Sequence, residues 1–298
     1  MAPLISILTP CYGSHHTLAM ALASLVAQSL DDWECIIVDD GSQRPIAPIV
    51  DAFDEPRFRL LEEPTNRGRG RARQIALEAS RGQFVGMLDA DDWYYGRKLE
   101  RQVQILEEHP ELAAITSSMA VFDEEGHLVG RRDCAPGPLT ITEGSLESPP
   151  AISFPPILIR GHVARQHSFD PHLRRAEDPD YLRRLLAGRT YGITTEIHYA
   201  YRESWSPQAV REAQLAFYYQ RYTARRDLVA APIAMSRMWL KSALRSTTYA
   251  LLDALGHSAW LFERRNQPTH EADREHFHRQ RTRVQRHLPR SLRRAKLD

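Results

Sequence analysis

The strongest constraint on how this chain folds lies in its front third, where short β-rich runs alternate with helical stretches. Leu4–Thr9, Trp33–Val38 (WECIIV), Phe58–Glu62 and Phe84–Leu88 read as strands. Between them Thr17–Gln28 (TLAMALASLVAQ), Pro45–Phe53 and the Arg- and Ala-rich Arg69–Ser80 read as helices. Short strands separated by helices predict parallel βαβ units with right-handed crossovers, an α/β fold with a mostly parallel, Rossmann-like sheet flanked by helices. Ligands of such sheets bind beyond the carboxyl ends of the strands. Thr9-Pro10-Cys11-Tyr12, Asp39-Asp40 and Asp89-Ala90-Asp91-Asp92 are therefore expected along one edge.

Asp89, Asp91 and Asp92 repel one another at the end of an apolar strand. A helix cap or turn accounts for one Asp at such a place but poorly for three. A divalent cation relieves the repulsion, because Mg²⁺ and Mn²⁺ take oxygen ligands and often combine one or two carboxylates with phosphate oxygens. Asn66–Gln74 (NRGRGRARQ) carries Arg67, Arg69, Arg71 and Arg73 where a loop enters a helix. Guanidinium groups and free N–H groups at a helix N-terminus both favour a diphosphate, although most of these arginines are expected on a solvated face. A cation, a diphosphate site and acids able to hold ribose hydroxyls or a base N–H together suggest a nucleotide-diphosphate ligand.

Beyond Leu112 the pattern changes. Leu112–Phe122 reads as a strand, Asp123–Gly126 as a turn into His127–Arg131, and the Pro-, Gly- and Ser-rich Pro136–Pro156 as a loop over the site. Ile157–Arg160 reads as a short strand and Tyr191–Tyr201 as a final one. Ala176–Ala187 reads as a helix with Asp178 as N-cap and Pro179 at the first helical position. From Pro207 onward the sequence reads as helices broken near Pro232, Gly256, Pro268 and Pro289. Trp93, Tyr94 and Tyr95 are read as core residues, and Cys11 as a small apolar residue without a His and acid beside it.

With 298 residues, 42% hydrophobic and 26% charged, the composition is that of a soluble protein of one large domain plus an appendage, or two domains. No stretch of about 18 apolar residues is present to span a bilayer. The N-terminus has no basic region before its apolar run and reads as a first strand. Cys11, Cys35 and Cys134 are odd in number and lack metal-ligand spacing, so a reducing cytoplasm fits best. The net charge of +1 hides an asymmetry: from Ser206 onward 18 Lys+Arg face 8 Asp+Glu, a net of +10.

SILTPCYGSHHTLAMALASLVAQSLDDWECIIVDDGS, followed by NRGRGRARQIALEASRGQFVGMLDADD, resembles a family 2 glycosyltransferase of the GT-A fold. The resemblance continues more weakly through SFPPILIRGHVARQHSFDPHLRRAEDPDYLRRLLAG to HYAYR, so it covers about two thirds of the chain. It implies a GT-A catalytic domain over 1–205, with a nucleotide-sugar half to about 110 and an acceptor half over 111–205, and a basic helical C-terminal region over 206–298. It also implies that Asp89-Ala90-Asp91 is the DxD motif, with Asp91 as metal ligand and Asp89 sharing the metal or the ribose. Thr9, Pro10 and Tyr12 would line the nucleoside pocket, with Asp39 near the base and Arg73 near the diphosphate. Glu177-Asp178 would match the acceptor-side acidic motif, with Asp178 as catalytic base. Gly13 and Gln74 depart from the Asn common at these places in the family.

The expected activity is inverting, metal-dependent transfer of a hexose, glucose by default, from a UDP-sugar with Mn²⁺ or Mg²⁺. The acceptor would be a small natural product such as a nucleoside, an envelope glycan or a lipid-linked intermediate. A nucleotidyltransferase would instead need a Gly-rich phosphate loop after the first strand, where this chain has Pro10-Cys11-Tyr12-Gly13. A non-catalytic scaffold of the same fold is disfavoured by intact Asp89, Asp91 and Asp178. Ala231–Gly256 is amphipathic, and the reading leaves open packing on the catalytic domain, a homodimer, or peripheral contact with the inner membrane surface. No recognition motif accompanies the basic tail, so no nucleic acid is expected.

Overall fold

A computed structural model describes residues 2–132, 135–146, 150, 152–171, 173, 176–203 and 266–294, together with nine positions between 240 and 255. The front half follows the predicted alternation closely: β1 (Ile5–Cys11), α1 (Leu18–Val26), β2 (Trp33–Asp39), α2 (Ala47–Asp51), β3 (Phe58–Glu62), α3 (Arg69–Ala79) and β4 (Phe84–Met87). β3, β2, β1 and β4 lie side by side, each pair parallel. Alternate residues feed two cores. Ile5, Ile7, Cys35 and Ile37 face one layer with Leu18, Leu22 and Leu25 of α1, while Leu8, Ile36 and Val38 face the other with Ala72, Ala76 and Leu77 of α3. Burial on both faces explains why these strands read as continuous apolar runs.

The second half adds β5 (Trp93–Tyr94), α4 (Lys98–Glu108), β6 (Ala114–Phe122), β7 (Leu128–Arg132), β8 (Leu139–Glu143), β9 (Leu158–Arg160), α5 (Gly161–Ala164), α6 (Glu177–Leu186) and β10 (Thr190–Arg202). The path of the sheet is β3-β2-β1-β4-β9-β6-β10-β5, with β7 beside β6 and β8 beside β10. Here the joins are largely antiparallel: β9 sits antiparallel between β4 and β6, and only β6 and β10 run parallel. The sheet is thus parallel in its nucleotide half and mixed beyond it. Pro136–Pro156 is not wholly a loop, because β8 pairs antiparallel with Thr190–Thr194 through alternating Leu139, Ile141 and Thr residues. The turn-forming composition around it masked that short strand.

α7 (Glu271–Gln285) and α8 (Arg290–Arg294) follow the predicted breaks near Pro268 and Pro289. α7 buries Phe277 and Val284 in a third cluster with Trp93, Tyr95, Phe122 and Ala27. Residues 204–239, Cys134, and the breaks at Pro232 and Gly256 lie outside the described residues. No helix among the described residues is long and apolar enough to cross a membrane.

Candidate active site

The carboxyl ends of β1, β2 and β4 converge as the alternation requires. The Asp40 N–H donates to Cys11 O at 2.8 Å, and Gly13 N–H donates to the Ser42 hydroxyl at 2.9 Å. Gly41 turns the chain at φ +73, and a Cβ there would lie 2.6 Å from the Thr65 carbonyl carbon, so only glycine lets the loop before α3 pass. Asp40 then caps that loop: its two oxygens accept from Arg67 N–H and Gly68 N–H, both at 2.8 Å. These N–H groups at the entrance to α3 thus already hold a carboxylate. Sequence reasoning placed Asp40 on the edge without giving it this work.

A cavity of about 480 Å³ opens on this edge, lined by Pro10, Cys11, Tyr12, Asp40, Arg69 and Asp91 among others. Tyr12 is 52% exposed at its rim. Thr9, Asp39 and Arg73 do not line this cavity. Thr9 is buried with its hydroxyl 3.4 Å from Cys35 Sγ, and Asp39 Oδ1 accepts from Ser42 N–H at 3.0 Å. Burial pushes the Cys11 thiol up to about 11, in keeping with its reading as a small apolar residue.

Arg73 is 1% exposed and spans two acids, donating to Asp89 Oδ1 at 2.7 Å and to Glu177 Oε1 at 2.9 Å. Arg69 donates its Nε–H to the same Glu177 oxygen at 2.6 Å, and it also reaches the cavity wall. The three carboxylates after β4 part company accordingly. Burial works against the Asp89 carboxylate, but Arg73 and Arg69 outweigh it and hold the group below its ordinary value. Asp92 is inward and structural: it accepts from the Tyr199 hydroxyl and from Arg202 N–H, each at 2.7 Å. Asp91 stands exposed, without a side-chain partner among the described residues. Its position in the recess and the nearby Asp89 push its carboxyl up to about 6.

A second cavity of about 250 Å³ adjoins the first and shares Arg69 and Asp89 with it. Its wall includes Arg132, Phe154, Asp178 and Tyr201. Asp178 is not the N-cap. That position is Ala176, held at φ 58, and Asp178 falls in the first turn of α6. The cap expectation failed because Glu177, drawn inward by Arg69 and Arg73, starts the helix before Asp178. Freed from capping, the Asp178 carboxylate is half-buried beside the second cavity and has no hydrogen-bond partner among the described residues. Burial and the adjacent Glu177 raise its pKa.

The donor set suits a cation at Asp91. Two carboxylates on one recess, one of them without a partner and raised by the other, are what a divalent ion with further phosphate oxygens would satisfy. The described residues hold one cluster of three ligand types within 4.8 Å: Asp123, Glu125 and His127, at the exposed turn after β6. Asp123 there already accepts from the His127 N–H at 2.7 Å.

Comparison with known proteins decides the family. The family model described as glycosyl transferase family 2 matches residues 6–155. The chain belongs to glycosyl transferase family 2. It is 32% identical over 127 residues to a putative glycosyltransferase, EpsE, of Bacillus subtilis, covering 42% of this chain and 46% of that protein. It is 33% identical over 103 residues to WfgD of Escherichia coli, a UDP-Glc:alpha-D-GlcNAc-diphosphoundecaprenol beta-1,3-glucosyltransferase, covering 35% of this chain and 41% of WfgD. These matches span less than half the length of either relative. S. aureus TarS 1–349, solved in complex with UDP, superposes with a TM-score of 0.57 at 20% identity, over 80% of this chain and 71% of TarS. A mannosyltransferase of Pyrobaculum calidifontis, solved with GDP-Man and Mn²⁺, superposes at 0.54 and 15% identity, over 96% and 86% of the two chains. The fold is that of GT-A glycosyltransferases.

Proposed function

We propose that this family 2 domain transfers a hexose, with inversion, from a UDP-sugar to an acceptor hydroxyl, using a divalent metal. The observation that carries the reading is Asp178: a carboxylate with raised pKa and no hydrogen-bond partner among the described residues, lining a cavity that shares Arg69 and Asp89 with the nucleotide-side cavity. A sugar hydroxyl is a weak nucleophile, and a carboxylate within reach accepts its proton as the new bond forms. In-line attack requires base and leaving group on opposite sides of the anomeric carbon, which a donor in the first cavity and an acceptor in the adjoining one would meet. The nucleoside would lie along Pro10 and Tyr12, whose exposed ring offers a stacking face. Thr9 and Asp39 would shape that pocket from beneath through the buried loop contacts already described. Arg69 would meet the diphosphate, while Arg73 would hold Asp89 in place. Asp91 and Asp89 would hold Mn²⁺ or Mg²⁺, which supplies charge stabilisation for the departing diphosphate.

The activity for which WfgD is named supports UDP-glucose as the first donor to test and a diphosphate-lipid-linked glycan as the first acceptor, with soluble nucleosides as the second class. The deciding measurement is thermal stabilisation by UDP, GDP, CDP and dTDP, each with and without Mn²⁺, on wild type and Asp91→Ala. A ligand at 100 times its dissociation constant adds about 2.7 kcal/mol. A UDP shift that needs Mn²⁺ and vanishes in the variant is expected. A folded protein indifferent to every nucleotide sinks the proposal.

A further inference from the structure

Tyr199 and Tyr201 lie two residues apart on β10, so their side chains leave the same face of the strand. They use their hydroxyls differently. Tyr199 donates to Asp92 Oδ2 at 2.7 Å and accepts from Asp89 N–H at 3.3 Å. A buried phenol usually has such a partner. The Tyr201 hydroxyl bonds to nothing among the described residues, and it is not one of the polar atoms shut in the core. Tyr201 stands in the wall of the second cavity, which Asp178 also lines.

The ring is held in place without a ligand. Tyr201 pairs with Val121 of β6, and the Arg132 guanidinium carbon lies 5.2 Å from its ring centroid. Arg132 is in turn fixed by Glu203 and Asn266. A side chain ordered in advance adds little ordering cost when a ligand binds. Burial pushes the phenol pKa up, and so does Asp92, so the hydroxyl keeps its proton and can donate.

Asp178 and Tyr201 are complementary. An ionised carboxylate only accepts, whereas the protonated phenol has a hydrogen bond to give. The attacking hydroxyl passes its proton to Asp178 as its oxygen bonds to the anomeric carbon. A donor on that same oxygen would occupy the lone pair that forms the new bond, so the phenol suits a neighbouring oxygen. We propose that the Tyr201 hydroxyl holds the acceptor by an oxygen next to the attacking hydroxyl, so that the acceptor is a sugar-like vicinal diol and not a lone alcohol. This rests on the reading of Asp178 as the base of a UDP-sugar transferase.

Ligand-observed NMR tests it on the full chain loaded with UDP and Mg²⁺. The probes are methyl β-glucoside, methyl β-galactoside and methyl β-N-acetylglucosaminide. At least one should bind wild type, and Tyr201→Phe should weaken it about two- to tenfold, the worth of one hydrogen bond. The variant loses no bond within the described protein, so its unfolding temperature and its affinity for UDP should match wild type. Among deoxy forms of the bound glycoside, one should bind wild type and variant alike, because it lacks the oxygen that the phenol meets. Equal binding of every glycoside by wild type and variant overturns the proposal, as does a wild type that binds UDP and no glycoside. A variant weakened equally for UDP and glycoside would show a structural role and overturn it too. Failure of the wild type to bind UDP at all would sink the transferase reading, and this inference with it.

Discussion

Glu177 is fully buried, with Oε1 accepting from both Arg69 and Arg73 and Oε2 accepting from no described group. A buried carboxylate at the hub of two guanidinium groups sets where both of them sit, and through Arg73 it sets Asp89. Breaking a buried ion pair from one side leaves an uncompensated charge and costs about 3–5 kcal/mol, so Glu177→Ala should lower the unfolding midpoint strongly. Glu177→Gln keeps the shape and removes the negative charge that raises Asp178. Because Asp178 must be ionised to accept a proton, the acidic limb of the kcat/KM profile should move to lower pH in Glu177→Gln. Asp178→Asn should reduce kcat by about 10²–10⁴ while leaving the UDP-induced thermal shift intact, which separates chemistry from donor binding. Loss of both together would remove Asp178 from the role of base. The Asp residues of this site were legible as residue types at strand ends. Their division of labour was not, because Arg73 reaches Glu177 across 104 positions of sequence, and nothing local marks that pairing. For the same reason Arg73 read as a diphosphate contact, although its guanidinium is occupied by two carboxylates.

At the scale of elements, α4 carries a cost at its first turn. Lys98 is fully buried, its Nζ donating to Gln102 Oε1 at 2.7 Å and lying 4.3 Å from the Tyr94 ring centroid. Burial lowers its pKa from 10.5 to about 7. The unfolded chain therefore binds more protons than the folded one between those two values, and stability rises with pH across that window. The slope is at most about 1.4 kcal/mol per pH unit. Below about pH 7 the buried ammonium is charged in both states and its penalty is complete. Lys98→Met should raise stability near neutral pH and flatten the rise, which urea unfolding at a series of pH values would reveal. A variant with the same slope as wild type would clear Lys98 of the effect. Elements buried on both faces, such as β1 and β2, were plain in the sequence because their apolar runs have one interpretation. β5 was not, since two residues cannot show a period. It exists because Trp93 and Tyr94 find antiparallel partners in Ala200 and Tyr199 from the far end of the domain.

At the scale of the whole molecule, the stretch 266–285 is bound to the catalytic domain at several independent points. The Phe277 ring lies 5.2 Å from Trp93 and 6.0 Å from Phe122, and Gln280 accepts from Gly96 N–H at 3.0 Å. Arg283 donates to Ala27 O at 3.0 Å, and Arg131 pairs with Gln267 through the backbone in both directions. Asn266 braces one side chain of the second cavity's wall: its Oδ1 accepts from Arg132 Nε–H at 2.8 Å, and its Nδ2–H donates to Glu203 Oε2 at 2.9 Å. Arg132 also pairs with Glu203 and stands in the cavity wall. Phe277→Ala should cost about 3–5 kcal/mol. Asn266→Ala should raise the acceptor KM with the donor KM unchanged, because it loosens only the wall on the Asp178 side. Steady-state kinetics with both substrates varied would show the split.

This arrangement also gives the protein a timetable. Every residue proposed to touch the nucleotide has been synthesised by position 91, and the last strand of the described sheet ends at Arg202. Asn266 follows only after the intervening stretch has been translated, an interval on the order of 3–13 s at roughly 5–20 residues per second. A nascent chain can therefore shape its donor pocket while still on the ribosome, and Arg132, already paired with Glu203, gains its Asn266 partner only once residue 266 has emerged. The last support of the Asp178-side wall is thus made well after the residues of the donor pocket have been translated.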